Sequence, residues 1–401
     1  MKLKSLIPYI LAAAILTATV LGVGYVSSNN KADPTISATI DESKPEHEMR
    51  GVWVTYMTLD IENEQDKEEA FCKRINNIIS DVKKSGMNTI FVHVRPFCDA
   101  IYKSRIYPWS HILTGNQGQD PGYDPLKYII QQCRSNNIKI HAWLNPYRVS
   151  TQETPASLCD DNPYVRNKSL GMEINGSIYL NPASEDARQL IVSGIIELLE
   201  NYDLDGIQFD DYFYPEDFGN NDKEEYKDYC ESVSKPLSIE DYRKDNVNKL
   251  IKAVYKAVHS TKKSAVFGIS PQGNLGNNDY IYADVREWYT KSGYVDYICP
   301  QLYFSLDNPA LGYEASLNEW LELKPHKGLK LYVGLAGYKA GTDSDDGTWL
   351  DNNDILKTEI DILRSKGASG FILYSYDSLK SNEGEQEINN VINYLNTSPT
   401  Q

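Results

Sequence analysis

Asp205-Gly206-Ile207-Gln208-Phe209-Asp210-Asp211-Tyr212-Phe213-Tyr214-Pro215 opens as a buried strand and closes on two adjacent carboxylates followed by aromatic residues. Ile207 and Phe209 alternate with Gln208 and Asp210, the period of two that sends successive side chains to opposite faces of a sheet. A strand that stops on Asp-Asp and runs into Tyr-Phe-Tyr-Pro puts acid groups where the sheet ends and a ligand would begin. Carboxylates beside stacking rings are the equipment that cleavage of a sugar chain requires.

Outward from this stretch, strand-like and helix-like segments alternate. Strands are predicted at 50–56, 89–95, 138–144, 206–210, 265–269, 295–303, 329–335 and 370–374. Between and after them, apolar residues at helical spacing predict helices at 64–85, 123–136, 184–201, 241–259, 283–291, 313–323, 354–365 and 385–395. A long loop is expected up to about Asn181, and a charged loop at 215–239. Repeated strand–helix units in this order predict an α/β fold, a (β/α)8 TIM barrel with long loops after its strands. A doubly wound open sheet fits less well, because no Gly-rich phosphate loop follows the first strand.

In such a barrel the chemistry sits at the carboxyl ends of the strands. Those ends read Arg95-Pro96-Phe97-Cys98-Asp99, Trp143-Leu144-Asn145-Pro146-Tyr147-Arg148, Asp210-Asp211-Tyr212, Ser270-Pro271-Gln272-Gly273-Asn274, Gln301-Leu302-Tyr303 and Ser375-Tyr376-Asp377. The opposite turns, such as Lys84-Ser85-Gly86 and Lys366-Gly367-Ala368, are plain.

Composition narrows the partners. The net charge of −16 argues against nucleic acid and anionic membrane surfaces, which need clustered Lys and Arg, and does not forbid a neutral or amino-sugar polysaccharide. The 29 Tyr against 9 Phe suit wet sugar-binding surfaces, and equally suit half-buried packing positions. Lys2 and Lys4 followed by the uncharged apolar run 5–26 read as a signal peptide or membrane anchor over 1–28. That predicts an extracytoplasmic protein, secreted or tethered, that meets the membrane only through this segment. A polar, Pro-containing linker is expected at 29–49, and the barrel at 50–396. Six scattered Cys show no zinc spacing; buried free thiols are expected at Cys133 and Cys299. No metal or other cofactor is called for.

Several motifs carry a family resemblance. Arg50-Gly51-Val52-Trp53, Asp99-Ala100-Ile101-Tyr102, Gly122-Tyr123-Asp124-Pro125-Leu126, His141-Ala142-Trp143-Leu144-Asn145-Pro146-Tyr147-Arg148, the stretch 205–215, Gly268-Ile269-Ser270-Pro271 and Tyr297-Ile298-Cys299-Pro300-Gln301-Leu302-Tyr303 occur in a familiar order. Together they resemble the glycosyl-hydrolase-like family ten, extracytoplasmic barrels that include divisome glycosidases acting on denuded peptidoglycan. The resemblance implies a glycosidase of cell-wall glycans. Gln208 stands where that pattern has His, and Gln272-Gly273-Asn274-Leu275 replaces a more aromatic stretch.

Glycoside cleavage needs one carboxylic acid to protonate the leaving oxygen and a second group to stabilise or attack the oxocarbenium-like centre. Asp210 and Asp211 are the candidate pair; two such neighbours resist joint ionisation, so one pKa should rise. The competing reading is loop capping, or ion pairing with Arg95 or Arg148. Asp377 is the reserve catalytic partner, and an N-cap otherwise. Asp-Gly-x-x-x-Asp with Gln301-x-Tyr303 also resembles chitinase-type barrels, where the substrate's N-acetyl group is the nucleophile; a direct Asp nucleophile stays equally open. Arg95 and Arg148 are candidates to hold the lactyl carboxylate of N-acetylmuramic acid, or else to fix the site carboxylates. Trp143, Tyr212 and Tyr303 are candidate stacking rings, and Asp99, Asn145 and Gln301 complete the substrate-binding set. His93 and His141 share a face but lack a third ligand, so hydrogen-bonded core histidines are expected. Asp343-Ser344-Asp345-Asp346-Gly347 reads as a solvated acidic loop rather than a calcium loop. The reading from a different class is a catalytically silent carbohydrate-binding barrel, which Gln208 keeps open; an esterase is disfavoured by the missing Ser and metal motifs.

Overall fold

Eight parallel strands close into a barrel in the computed structural model, which describes residues 48–215 and 218–397. They are β1 (Met49–Val54), β2 (Thr89–Arg95), β3 (Lys139–Leu144), β4 (Gly206–Phe209), β5 (Val266–Ile269), β6 (Tyr297–Ile298), β7 (Lys330–Leu335) and β8 (Gly370–Leu373). Each pairs with its neighbours in sequence, and β1 pairs with β8 to close the ring. The expected signal or anchor segment and nearly all of the linker lie outside the described residues. Among those residues, no helix is long and apolar enough to cross a membrane.

A helix follows every strand, and local chemistry marks its ends. In Lys67–Lys84 the N-cap Asp66 accepts from the Glu69 amide, and Phe71, Ile75, Ile78, Ile79 and Val82 form the buried stripe. Gly86, at φ +72°, turns the chain away into β2. Pro125–Ser135 starts with Asp124 as cap and proline at its first position, where the missing N–H costs nothing. The outward strand faces join these stripes in one large core, while Met49, Trp53, Phe91, Trp143, Tyr297, Cys299 and Ile372 cluster separately inside the barrel. All six Cys are free thiols, and Cys98, Cys133 and Cys299 are buried.

Three segments depart from the sequence reading. The predicted strand 295–303 is reduced to Tyr297–Ile298 with single bridges at Gln301, because Pro300 has no N–H to give the ladder. The loop expected up to Asn181 holds a three-stranded antiparallel sheet of Arg148–Ser150, Gly171–Ile174 and Ser177–Leu180. Its hairpin turns at Asn175 and Gly176, both at positive φ (50° and 78°). The charged loop contains the helix Lys223–Ser232, which buries none of its residues and so lacks the apolar stripe by which a helix is read.

Gly268 shows how closely the interior is filled. A Cβ there would lie 2.2 Å from the Tyr297 ring, whose hydroxyl is 3.1 Å from His141 Nδ1. We expect Gly268→Ala to destabilise the barrel by about 1–3 kcal/mol, read as a lower urea midpoint at unchanged m-value.

Candidate active site

Asp210 ends β4 on the inward side, 4% exposed, at the floor of the barrel mouth. Its Oδ2 accepts from Trp143 Nε1 at 3.0 Å and Asn145 Nδ2 at 3.4 Å, and its Oδ1 faces the Tyr212 amide at 3.4 Å. Burial first, then the neighbouring Asp211 charge, push its pKa up to about 7; Arg148 and the Trp143 hydrogen bond pull the other way. Near neutral pH this carboxyl therefore holds its proton for a substantial part of the time. Asp211, half-buried, accepts from Gln301 Nε2 at 3.1 Å, while the same amide donates to the Ser270 carbonyl at 3.0 Å. The segment after β6 thus braces the end of β4.

Trp143 is placed by stacking. Its ring lies 3.7 Å from that of His93 at 10°, so one indole face is already covered, and its N–H is aimed at Asp210. The His93 ring is kept neutral by burial, then by Arg148 and Arg95. His93 forms no hydrogen bond with protein groups, unlike the expected core histidine; His141 does, through Tyr297. Asn145 also accepts from the Arg148 amide at 2.9 Å, fixing the turn after β3.

The two arginines separate. Arg95 is fully buried, donates to the carbonyls of Asn145 (2.7 Å) and Pro146 (3.2 Å), and lies over the Tyr107 ring. It has no surface with which to take a lactyl carboxylate. The cause is a register shift between His93 and Arg95, which pairs Arg95 with Leu144 on the outward side. Arg148 is half-buried between the rings of Phe97 and Tyr212, with Nε on the Pro96 carbonyl at 2.9 Å. Its charge still reaches Asp210.

Asp99 is buried away from the mouth, accepting from Gln117 at 3.0 Å and beside His111 at 3.4 Å. Asp377 is exposed, bound at 2.7 Å by the hydroxyl of Thr58, which sits in the short helix Tyr56–Leu59 after β1. Asp377 and Asp210 both act electrostatically on the Tyr374 phenol, whereas the printed partners of Asp99 are Gln117 and His111. In the acidic loop Asp345 accepts from Lys339 Nζ (2.7 Å), the Ser305 amide and the Trp349 indole, so this carboxylate is a loop pin. Lys339 also donates to the Tyr303 carbonyl, tying the loops after β6 and β7 together.

Tyr212 is 55% exposed, and Tyr303 sits in a cluster with Tyr338 and Tyr374. Sequence reasoning passed over Tyr374 and Tyr338. Tyr374 follows the inward Ile372 by two residues, so strand parity alone would have placed it beside the acid, and Asp210 is the largest charge acting on its phenol. Beyond Asp211 opens a cleft of about 400 Å³, walled on one side by Tyr212, Phe213 and Tyr214, and on the other by Gln152, Asn175, Ser177 and Tyr179. The second wall belongs to the unpredicted sheet; the Asn175-Gly176 pair between apolar segments was its visible signal.

The family model described as glycosyl hydrolase-like 10 matches residues 48–351. The chain is 32% identical over 341 residues to glycosyl hydrolase YngK of Bacillus subtilis, covering 79% of this chain and 65% of that one. The chain thus spans about two thirds of that relative's length. It is 30% identical over 391 residues to glycosyl hydrolase DigH of Escherichia coli K12, covering 88% of each. Among solved structures, the glycoside hydrolase domain of PgaB from Bordetella bronchiseptica superposes with a TM-score of 0.52 at 13% identity, over 86% of this chain and 97% of that one. An endo-1,4-beta-mannanase from Rhizomucor miehei gives 0.56 at 12% identity, over 89% and 97%. These two share the barrel.

The raised Asp210 pKa has a thermodynamic sign. Between its ordinary value of 3.8 and about 7 the folded chain holds a proton that the unfolded chain has released, so stability falls as pH rises through this window. We expect Asp210→Asn to be more stable than the wild type above pH 7, by roughly 2–4 kcal/mol, and equal to it near pH 4. Thermal unfolding across pH checks this. Trp143→Phe should move the Asp210 titration upward in a carbon-detected NMR titration.

Proposed function

Since the chain belongs to the glycosyl hydrolase-like 10 family, we propose that it hydrolyses bacterial cell-wall glycan, peptide-stripped peptidoglycan or a related amino-sugar polymer, by carboxylate catalysis. The observation that carries this reading is the unequal pair at the end of β4: Asp210 is buried and its pKa raised to about 7, while Asp211 faces the cleft. Unequal environments divide acid from base. Asp210 gives its proton to the leaving glycosidic oxygen. Asp211, oriented by Gln301, stabilises the positive charge that develops at the sugar carbon, directly or through the substrate's acetamido group.

The silent-barrel reading rests on Gln208. Its side chain is buried beneath the carboxylates, where Oε1 accepts from the Trp53 indole at 2.7 Å. A residue that braces the barrel interior leaves the acid in place, which favours the hydrolase. The basic start and apolar run at 2–26 support action outside the cytoplasm.

Digestion of peptide-stripped peptidoglycan, with products sized by mass spectrometry, tests the proposal. We expect glycan fragments from the wild type and a rate at least ~10²-fold lower for both Asp210→Asn and Asp211→Asn. Retention on the glycan without fragments would favour the binding barrel. Loss in only one of the two variants would break the assigned pair.

A further inference from the structure

The carboxyl ends of β4 and β8 face each other across the barrel mouth, being four strands apart either way round the closed ring. Asp210 follows the first strand and Tyr374 the second. Tyr374 is firmly held. Its ring centroid lies 5.9 Å from that of Trp53, 5.7 Å from Tyr303 and 5.9 Å from Tyr338. Its amide donates to the Leu335 carbonyl at 2.9 Å, and its carbonyl accepts from the Tyr338 amide at 3.1 Å.

The phenol oxygen is treated differently from the ring that carries it. It takes no hydrogen bond among the described residues, yet it is not sealed from solvent. The groups whose charge reaches it stand around the mouth: Asp210 after β4, Tyr56 after β1, Asp377 after β8 and Arg148 after β3. Burial first, then Asp210, Tyr56 and Asp377, raise its pKa against the pull of Arg148, so the hydroxyl keeps its proton near neutral pH and stays a donor. A donor fixed this well and left without a protein acceptor is pre-organised for a ligand. Whatever lies between Asp210 and Tyr374 lies across the mouth.

We infer that Tyr374 is a substrate-contacting residue, whose hydroxyl donates a hydrogen bond from the β8 side to the sugar unit at the bond that Asp210 protonates. The inference rests on the glycan reading above and adds to it a second polar contact, opposite the acid. The phenol keeps its own proton throughout; its part is to hold the sugar unit against Asp210. The rings of Trp53, Tyr303 and Tyr338 hold Tyr374 without its hydroxyl, so removing that oxygen separates contact from packing.

The test is Tyr374→Phe in the full chain. We expect kcat/KM on peptide-stripped peptidoglycan to fall about tenfold, with the urea midpoint unchanged. Added to Asp210→Asn, which prevents turnover, the same change should weaken calorimetric binding of a peptide-free tetrasaccharide of N-acetylglucosamine and N-acetylmuramic acid about tenfold. The pH dependence of kcat/KM should keep its shape, since Asp210 remains the titrating acid. A lowered urea midpoint in step with the lost activity would make the hydroxyl structural and overturn the contact. A displaced limb in the pH profile would overturn it too, by placing the effect of the phenol on Asp210 rather than on the sugar. Cleavage and binding indifferent to Tyr374→Phe sink the contact and leave hydrolysis standing. Binding that weakens with Tyr374→Phe, in a chain that cleaves nothing, does the reverse.

Discussion

A carboxyl group withdrawn from water at the end of β4 sets the terms for the rest of the site. Burying an ionised carboxylate is costly, and a buried one shifts its pKa rather than staying charged at any expense. The protein meets the cost in part, with the Trp143 indole and the Asn145 amide, and leaves the remainder as a raised affinity for a proton. Everything around Asp210 follows from holding those two donors still. His93 lies flat against Trp143, Arg95 pins the backbone carbonyls of the turn that carries Asn145, and Gln208 braces Trp53 below. Residues that look like ligands in the sequence serve to hold the acid in place.

Charge is used sparingly at the mouth. Arg148, clamped between two rings, is near enough to temper Asp210 without neutralising it, since the net result is still an upward shift. Had the guanidinium paired directly with Asp210, the carboxyl would have ionised well below neutrality. Holding the arginine at one remove, with its Nε engaged by the Pro96 carbonyl, keeps the pair in balance.

The barrel was legible because its evidence is one-dimensional: alternating apolar strands, capped helices and polar strand ends recur along the chain. The position of Asp210 was legible for the same reason, as parity with Gln208 puts it inside. Parity failed at Arg95, where a one-residue shift against β3 turned an inward residue outward, a change that depends on the partner strand. Depth was not legible either. Asp99 and Asp377 carry the same group near strand ends, yet one is sealed beneath Gln117 and His111 and the other lies in water beside Thr58. The sheet after β3 was missed because its strands are three or four residues long, too short for alternation to register, although its Asn-Gly turn was in view.

That small sheet grows from the connection after β3, which also supplies Asn145, whereas Trp143 belongs to β3 itself and Asp210 follows β4 directly. Each is held by different contacts: the hairpin by its own ladder and turn, the acid by the barrel interior. A chain built this way can lengthen, shorten or repaint its hairpin over generations while the Trp143–Asp210 hydrogen bond below is kept. Variation along that connection and constancy of the barrel interior are therefore separable.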